Sequence, residues 1–167
     1  MIESLAINAA VLVAAMAVLW RIAVKIGDVS FIDAVWGGGM GVLALVSWAQ
    51  LDHPGTRATL IAGMAAIWAA RLAGHLYTRW RGHGEDPRYA RMLGKAREQG
   101  RFASAALTLV FAPQAVLLFV TCLPAQLGVL GSAAPVAPGA LAIAGAALWL
   151  VGIVFEAVGD AQLNAFR

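Results

Sequence analysis

Charged residues are scarce in this sequence, and extended polar stretches are few. Lys, Arg, Asp and Glu together make up 13% of the 167 residues, whereas about a quarter of an ordinary soluble domain is charged. Hydrophobic residues make up 61%, which is more apolar surface than a single soluble core can bury. The composition therefore excludes an ordinary soluble domain and predicts a protein whose apolar surface is covered partly by lipid.

Cysteine and the common catalytic or metal-binding motifs are also missing. The one cysteine, Cys122, lies in an apolar run, so an internal disulfide framework is excluded. No His/Cys cluster has the spacing of a zinc site, and no Gly-x-Ser-x-Gly motif is present. The glycines at 37–39 and 41 lack the following Lys-Ser/Thr of a phosphate-binding loop. We therefore predict no metal site and no soluble nucleotide-binding loop.

Five predominantly apolar runs of about 20 residues remain, each long enough to cross a bilayer as a helix. They predict an all-α polytopic transmembrane bundle that forms a single domain over residues 1–167. A polar loop at 80–102 separates the third run from the fourth. The predicted spans are 4–24, 31–50, 58–79, 103–123 and 138–161.

Small residues and one proline predict where these helices pack and bend. Gly37 and Gly41 have the small-xxx-small spacing that allows two helices to approach closely. Pro113 is expected to kink the fourth helix and to free a backbone carbonyl. Small residues in the fifth run are also expected to face a close neighbour, and these are Ala142, Gly145, Gly152 and Gly159.

Basic residues are distributed unevenly among the connections between the runs. Counted with the residues that end the preceding span, the first connection holds Arg21 and Lys25 and the stretch from Arg79 to Arg101 holds seven basic residues, whereas the second connection holds only Arg57 and the fourth has none. Because cytoplasmic loops are enriched in Lys and Arg, this pattern predicts an external N-terminus and a cytoplasmic C-terminus. The net charge of +3 therefore indicates topology rather than a nucleic-acid partner. The basic loop is expected to contact anionic lipid, and a phosphate-binding surface is the alternative.

Apart from Arg21 and Arg79 near the ends of their spans, four charged residues fall inside the predicted spans: Asp33, Arg71, Glu156 and Asp160. A charge at membrane depth costs at least about 2.5–3.5 kcal/mol, so such residues usually face a partner or a wet cavity. All four lie in the predicted cytoplasmic half of the bilayer, although they come from three different helices. Other roles remain open, because Asp33 could cap its helix or pair with Arg71, and Arg71 could extend to the interface.

Helical spacing places several of these residues on common faces. Trp68, Arg71 and His75 follow i, i+3 and i+7 on the third span. In the fifth span, Glu156, Asp160 and Arg167 follow i, i+4 and i+11. Two acids followed by an arginine suit a ligand that carries hydroxyl groups and phosphate. The alternative for His75 is a hydrogen bond within the bundle.

The motifs also occur in a recognisable order along nearly the whole chain. They resemble bacterial membrane proteins of uncharacterised function that are related to steroid 5-alpha-reductases. The segments that carry the resemblance are Ser-Phe-Ile-Asp at 30–33, Trp-Gly at 36–37, Trp-x-x-Arg at 68–71, Glu-Asp-Pro-Arg-Tyr at 85–89 and Glu-x-x-x-Asp-x-Gln-Leu-x-x-Phe-Arg at 156–167.

The resemblance implies a seven-helix reductase of the bacterial inner membrane that uses cytoplasmic NADPH to saturate the double bond of an enone or similar lipophilic substrate. It implies cofactor-binding roles for Glu156, Asp160, Arg167 and Arg71. We also predict Trp68, Arg71 and Asp33 as catalytic residues. Trp68 stands where steroid reductases have a carbonyl-polarising tyrosine, and an indole N–H is a poor proton source, so steroid specificity is not expected.

Several alternatives accompany this functional prediction. Reductases of this kind continue into two further helices and an Arg-His-Pro-Asn-Tyr-like stretch, so the chain is expected to be the N-terminal portion of the fold, and an inactive form is one alternative. Related membrane folds use S-adenosylmethionine, which makes a lipid methyltransferase the second candidate. A non-catalytic membrane bundle is the third candidate. The sequence leaves the oligomeric state open.

Overall fold

The computed structural model describes residues 1–134 and 136–166 of the chain. Within these residues the protein is helical and contains no strand. The helices are Ile2–Ile26 (α1), Ile32–Ala49 (α2), Thr56–His83 (α3), Pro87–Glu98 (α4), Phe102–Ala106 (α5), Ala112–Thr121 (α6), Leu123–Leu130 (α7) and Ala140–Ala165 (α8), with a π-helical stretch at Leu107–Phe111.

Five helical segments of the described chain are long and apolar enough to cross a membrane, which confirms the predicted all-α bundle. They are α1, α2, α3, the continuous segment Phe102–Thr121, and α8. The connection between α1 and α2 is tight because Gly27 takes the left-handed conformation at φ 73° and closes the end of α1 through its bond to the Ala23 carbonyl. Helix α3 extends to His83, four residues beyond the predicted end of its span.

Two connections contain helices of their own. The polar loop at 80–102 holds the amphipathic helix α4, which begins with Asp86 as N-cap and Pro87 in the first turn. The fourth connection, predicted to start at Pro124, instead begins with helix α7. Helix α7 packs against α2 and α3, and its Gln126 and Val129 are buried. Neither short helix is long enough to span a bilayer.

The π-helical stretch lies immediately before Pro113, where a kink was predicted. Proline has no backbone N–H, so the backbone carbonyl of the residue four positions earlier loses its hydrogen-bond donor in the α-helix. The backbone accommodates this by wider turns, with the N–H of Ala112 donating to the carbonyl of Leu107, five residues earlier. The missing N–H of Pro113 therefore explains why α-helical hydrogen bonding is interrupted in this segment.

Helices α2 and α3 form the most extensive packing contact of the bundle. A Cβ built on Gly41 would lie 2.5 Å from the Cβ of Ala69, and one built on Gly37 would lie 3.0 Å from Cγ of Leu72. The prediction that these glycines allow close approach agrees with this geometry. The same prediction for α8 is wrong, since a Cβ on Gly145, Gly152 or Gly159 would meet nothing within 4 Å in the described chain.

A buried amide cluster ties three helices together at the end of the bundle away from α4. Asn8 donates to Ser47 Oγ and to Gln126 Oε1, both at 2.7 Å, and accepts from Gln50 Nε2 at 2.8 Å. Asn8, Ser47 and Gln126 are fully buried. Because each amide has a partner, the cluster fixes the relative positions of α1, α2 and α7 without leaving unsatisfied groups in an apolar environment.

Candidate functional site

Helices α3 and α8 meet through a set of polar side chains that we call the α3–α8 cluster: Trp68, Arg71, His75, Glu156 and Asp160. The indole Nε1 of Trp68 donates to Glu156 Oε2 at 2.8 Å. Arg71 forms ion pairs with both acids, and its Nη1 lies 2.6 Å from Asp160 Oδ2. Nε2 of His75 lies 3.7 Å from the other oxygen of Asp160. The two helix faces predicted from spacing therefore face each other.

The α3–α8 cluster is accessible rather than enclosed. The side chains of Arg71, Asp160 and Glu156 are 20%, 27% and 33% exposed, and no residue of α8 is buried. Two carboxylates surround one guanidinium, so acidic groups outnumber arginine in the cluster. Nε of Arg71 is buried and finds no hydrogen-bond acceptor in the described part of the chain. The cluster thus offers two partly exposed carboxylates as hydrogen-bond acceptors.

A small crevice continues from the α3–α8 cluster toward the C-terminal end of α3. Its volume is about 240 Å³, and its wall is formed by His75, Thr78, Arg79 and His83 of α3 and Asn164 of α8. The four residues of α3 follow i, i+3, i+4 and i+8, which is one face of the helix. The Arg79 side chain forms no ion pair within residues 1–134 and 136–166. This crevice supplies the positive charge that the cluster lacks.

Asp33 belongs to a different group, which we call the Asp33 cluster: Ser30, Asp33, Asp86, Arg88 and Tyr89. The Tyr89 hydroxyl donates to Asp33 Oδ1 and Arg88 Nη2 donates to Asp33 Oδ2, both at 2.8 Å. Asp33 therefore pairs with the loop helix and not with Arg71, which was one alternative from the sequence. The structure does not bring the predicted catalytic residues Trp68, Arg71 and Asp33 into one hydrogen-bonded group.

The Asp33 cluster fastens α4 to the beginning of α2. The backbone N–H of Asp86 donates to Ser30 Oγ at 2.8 Å, while the side chain and backbone N–H of Arg88 donate to the Asp86 carboxylate and lower its pKa to about 2. Burial and the bond to Asp33 raise the pKa of Tyr89. Tyr89 is therefore a protonated donor and Asp86 an ionised acceptor across the physiological pH range.

Tyr89→Phe is expected to destabilise the attachment of α4, because Asp33 loses its buried hydroxyl donor. The expected cost is about 1–2 kcal/mol in the free energy of local opening, measured as faster proteolysis or hydrogen exchange of residues 87–98. Tyr77→Phe is the matched control, since the Tyr77 hydroxyl only accepts a long 3.4 Å bond from the exposed Arg81. Equal protection in wild type and Tyr89→Phe would contradict the assigned role.

Comparison with protein families gives one match, which covers residues 19–167 and is described as a protein of unknown function, DUF1295. The match covers most of the chain. The chain belongs to the DUF1295 family. Comparison with curated proteins and with solved structures gave no significant match. The resemblance to a family of uncharacterised function is thereby confirmed, and the relation to steroid 5-alpha-reductases stays a prediction.

Spacing alone identified part of the polar structure of this DUF1295 protein. It placed Trp68 and Arg71 on one face of α3 and Glu156 on one face of α8, and the structure shows that these faces meet, whereas Arg167, predicted to bind cofactor, lies outside the described residues. It missed the partners of Asp33 and the crevice beside Arg79. It also missed the amide cluster. The available signal was the presence of uncharged polar residues within apolar runs, which are Asn8, Ser47 and Gln126.

Proposed function

We propose that this DUF1295 protein is a membrane-embedded, NADPH-dependent reductase-like protein that acts on the carbon–carbon double bond of an enone or similar lipophilic substrate. The observation that carries the proposal is the α3–α8 cluster, an accessible group of one arginine and two carboxylates at membrane depth. Ionisable residues in membrane spans commonly mark functional sites. The resemblance of the ordered motifs to reductases supplies the reaction class.

The polar groups of the cluster and of its adjoining crevice suit two different parts of a dinucleotide, the ribose and the phosphates. Asp160 and Glu156 are carboxylates that can accept hydrogen bonds from ribose hydroxyls. Arg79 and His83 line the crevice nearby and can donate to phosphate oxygens. When bound, NADPH would supply hydride, and these residues would bind and orient it.

The proposal places the cofactor-binding surface on the cytoplasmic side. Helix α4 and the clusters lie toward the ends of α1, α2 and α3 that join the basic connections, and such connections favour the cytoplasm. NADPH is a cytoplasmic cofactor, so this orientation is the one in which the cluster could use it. The lipophilic substrate would reach the same surface from the bilayer.

Arg79→Gln is expected to weaken NADPH binding by about tenfold, because one charge-assisted hydrogen bond to phosphate is lost. The measurement is a titration of the purified protein with NADPH, followed by the rise in Tm or by nicotinamide fluorescence. Arg81→Gln is the matched control, since it removes the same charge from an exposed position on the same helix. Equal NADPH affinity in wild type and Arg79→Gln would contradict this binding surface.

The same titration with S-adenosylmethionine in place of NADPH tests the second candidate function. The sulfonium and ribose groups of S-adenosylmethionine also suit a surface with excess carboxylate, which is the specific feature that keeps a methyltransferase as the second candidate. Stabilisation by NADPH with no response to S-adenosylmethionine supports the reductase proposal. Preferential stabilisation by S-adenosylmethionine would overturn it in favour of methyl transfer.

A further inference from the structure

Helix α4 and the helical segment that follows it enclose a groove of about 380 Å³, which we call the α4–α5 groove. Gly100, at φ 66°, reverses the chain between the two helices. From α4, the groove residues at 92, 95, 96 and 99 share one helical face, and those at 101, 104, 105, 108 and 109 share one face of the next segment. Both helices therefore contribute a continuous face to the groove.

Polar and apolar groups are segregated along this groove. Lys95 and Arg101 lie at the end where the segment Phe102–Thr121 begins its path through the predicted span. Leu109 lies eight residues further, about 12 Å along a helix axis. Met92 and Leu109 line the groove and are 43% and 53% exposed. Positive charge at one end and open apolar surface at the other match the two halves of an amphiphile.

The positive charge in the groove is not used within the protein. Arg88 is paired with Asp33 and Asp86, and Arg97 is paired with Glu85. In contrast, Lys95 and Arg101 form no ion pair in the described chain, and no acidic residue lines the groove. Arg101 donates only to the neutral side chain of Gln99. The structure thus divides the basic loop into cations that hold α4 and cations that remain available.

The hydroxyl groups that line the groove do not add free hydrogen-bond donors to the two available cations. Ser104 donates to the carbonyl of Arg101 at 3.0 Å, and Thr108 donates to the carbonyl of Ser104 at 2.9 Å. Both hydroxyls are thereby satisfied by their own helix and leave oxygen lone pairs rather than free donors. Recognition of an anion in the groove therefore depends on Lys95 and Arg101.

We propose that the α4–α5 groove is a binding site for one anionic phospholipid, with its phosphate between Lys95 and Arg101 and an acyl chain along Met92 and Leu109. The site is separate from the α3–α8 cluster and does not depend on the proposed reductase activity. A phospholipid fits better than a free phosphate because the cations continue directly into exposed apolar surface. Bound lipid would hold α4 against the bilayer surface.

The test is a titration of the full chain in detergent with phosphatidylglycerol, with phosphatidylcholine and inorganic phosphate as comparison ligands. Ligand that binds only the folded protein raises Tm, so the apparent affinity follows from the concentration dependence. We expect the Lys95→Gln/Arg101→Gln variant to bind phosphatidylglycerol roughly tenfold more weakly. Arg81→Gln/Arg91→Gln, which removes two exposed basic residues outside the groove, is expected to bind like wild type.

Three outcomes would overturn the proposal. An equal loss in both double variants would mean general attraction to anionic lipid rather than a site. Equal stabilisation by phosphatidylcholine would mean that the charges play no part, and equal stabilisation by inorganic phosphate would mean that no lipid is required. Leu109→Trp tests the site without removing either cation, because the quenching of this variant in excess of that of the wild type, which has six tryptophans of its own, should be stronger with brominated phosphatidylglycerol than with brominated phosphatidylcholine. Equal quenching would likewise contradict the site.

Discussion

Arg71→Met is expected to lower the free energy of unfolding by about 3 kcal/mol and to release α8 from α3. Glu156 and Asp160 both pair with Arg71, so the substitution leaves two carboxylates without their counter-charge at membrane depth. The expected cost lies at the lower end of the range for removing one partner of a fully buried ion pair, because these side chains are 20–33% exposed. Helix α8 has no buried residue to compensate.

The informative comparison is the variant that removes all three charges together, Arg71→Met/Glu156→Gln/Asp160→Asn. Removing one partner of an ion pair is costly because the other charge remains, whereas replacing every partner by neutral groups is often tolerated. The triple variant is therefore expected to lose less than half as much stability as Arg71→Met. Unfolding in mixed detergent provides the free energies, and cross-linking between cysteines placed on α3 and α8 reports their contact. A triple variant at least as unstable as Arg71→Met would contradict an electrostatic cause.

Gly41→Val is expected to cost about 3 kcal/mol, through steric overlap in the α2–α3 contact. A Cβ at this position would lie 2.5 Å from the Cβ of Ala69 and 3.4 Å from the Cα of Ala66. Both are rigid atoms of the facing helix, so the side chain can be accommodated only if the helices separate. Because α2 and α3 form the most extensive contact of the bundle, their separation disturbs packing along both helices.

Gly63→Val is the matched control for this steric effect. Gly63 also lies within a helix, but a Cβ there would meet nothing within 4 Å. Replacing a helical glycine is favourable for the backbone by up to about 1 kcal/mol, and the β-branched side chain partly offsets this gain. We expect the free energy of unfolding to change by less than about 0.5 kcal/mol. Similar losses in both variants would contradict close packing at Gly41.

The number of long apolar helices and the residues that share a helix face could be predicted because both depend on composition and periodicity. An apolar run of 20 residues has few alternatives to a membrane helix, and residues spaced by three, four or seven positions must share a helix face. This was sufficient to place Trp68 and Arg71 on one face of α3 and Glu156 and Asp160 on one face of α8, but not to predict that the two faces meet. Periodicity does not determine which helices are neighbours, so it did not reveal that Asp33 pairs with Arg88 and Tyr89 across 55 and 56 residues.

The difference between local periodicity and tertiary packing also explains which packing predictions failed. Small residues permit close approach but do not require it, and the glycines of α2 meet a neighbour while those of α8 do not. The polar loop contains a helix because capping by Asp86 and contact with α5 stabilise α4. The uncharged fourth connection contains a helix because α7 packs against α2 and α3. These features depend on which surfaces lie nearby after folding.

The sequence by itself determined that this chain is an all-helical membrane bundle with five helices long and apolar enough to cross a bilayer, and that polar faces exist on α3 and α8. These properties follow from composition and helical spacing, which act locally along the chain. Only the tertiary structure decided that the charged residues divide into two clusters, that Arg88 and Arg97 serve internal ion pairs, and that Lys95 and Arg101 remain available. The physical reason is that an ion pair depends on distances of a few ångströms between helices, and those distances are set by packing.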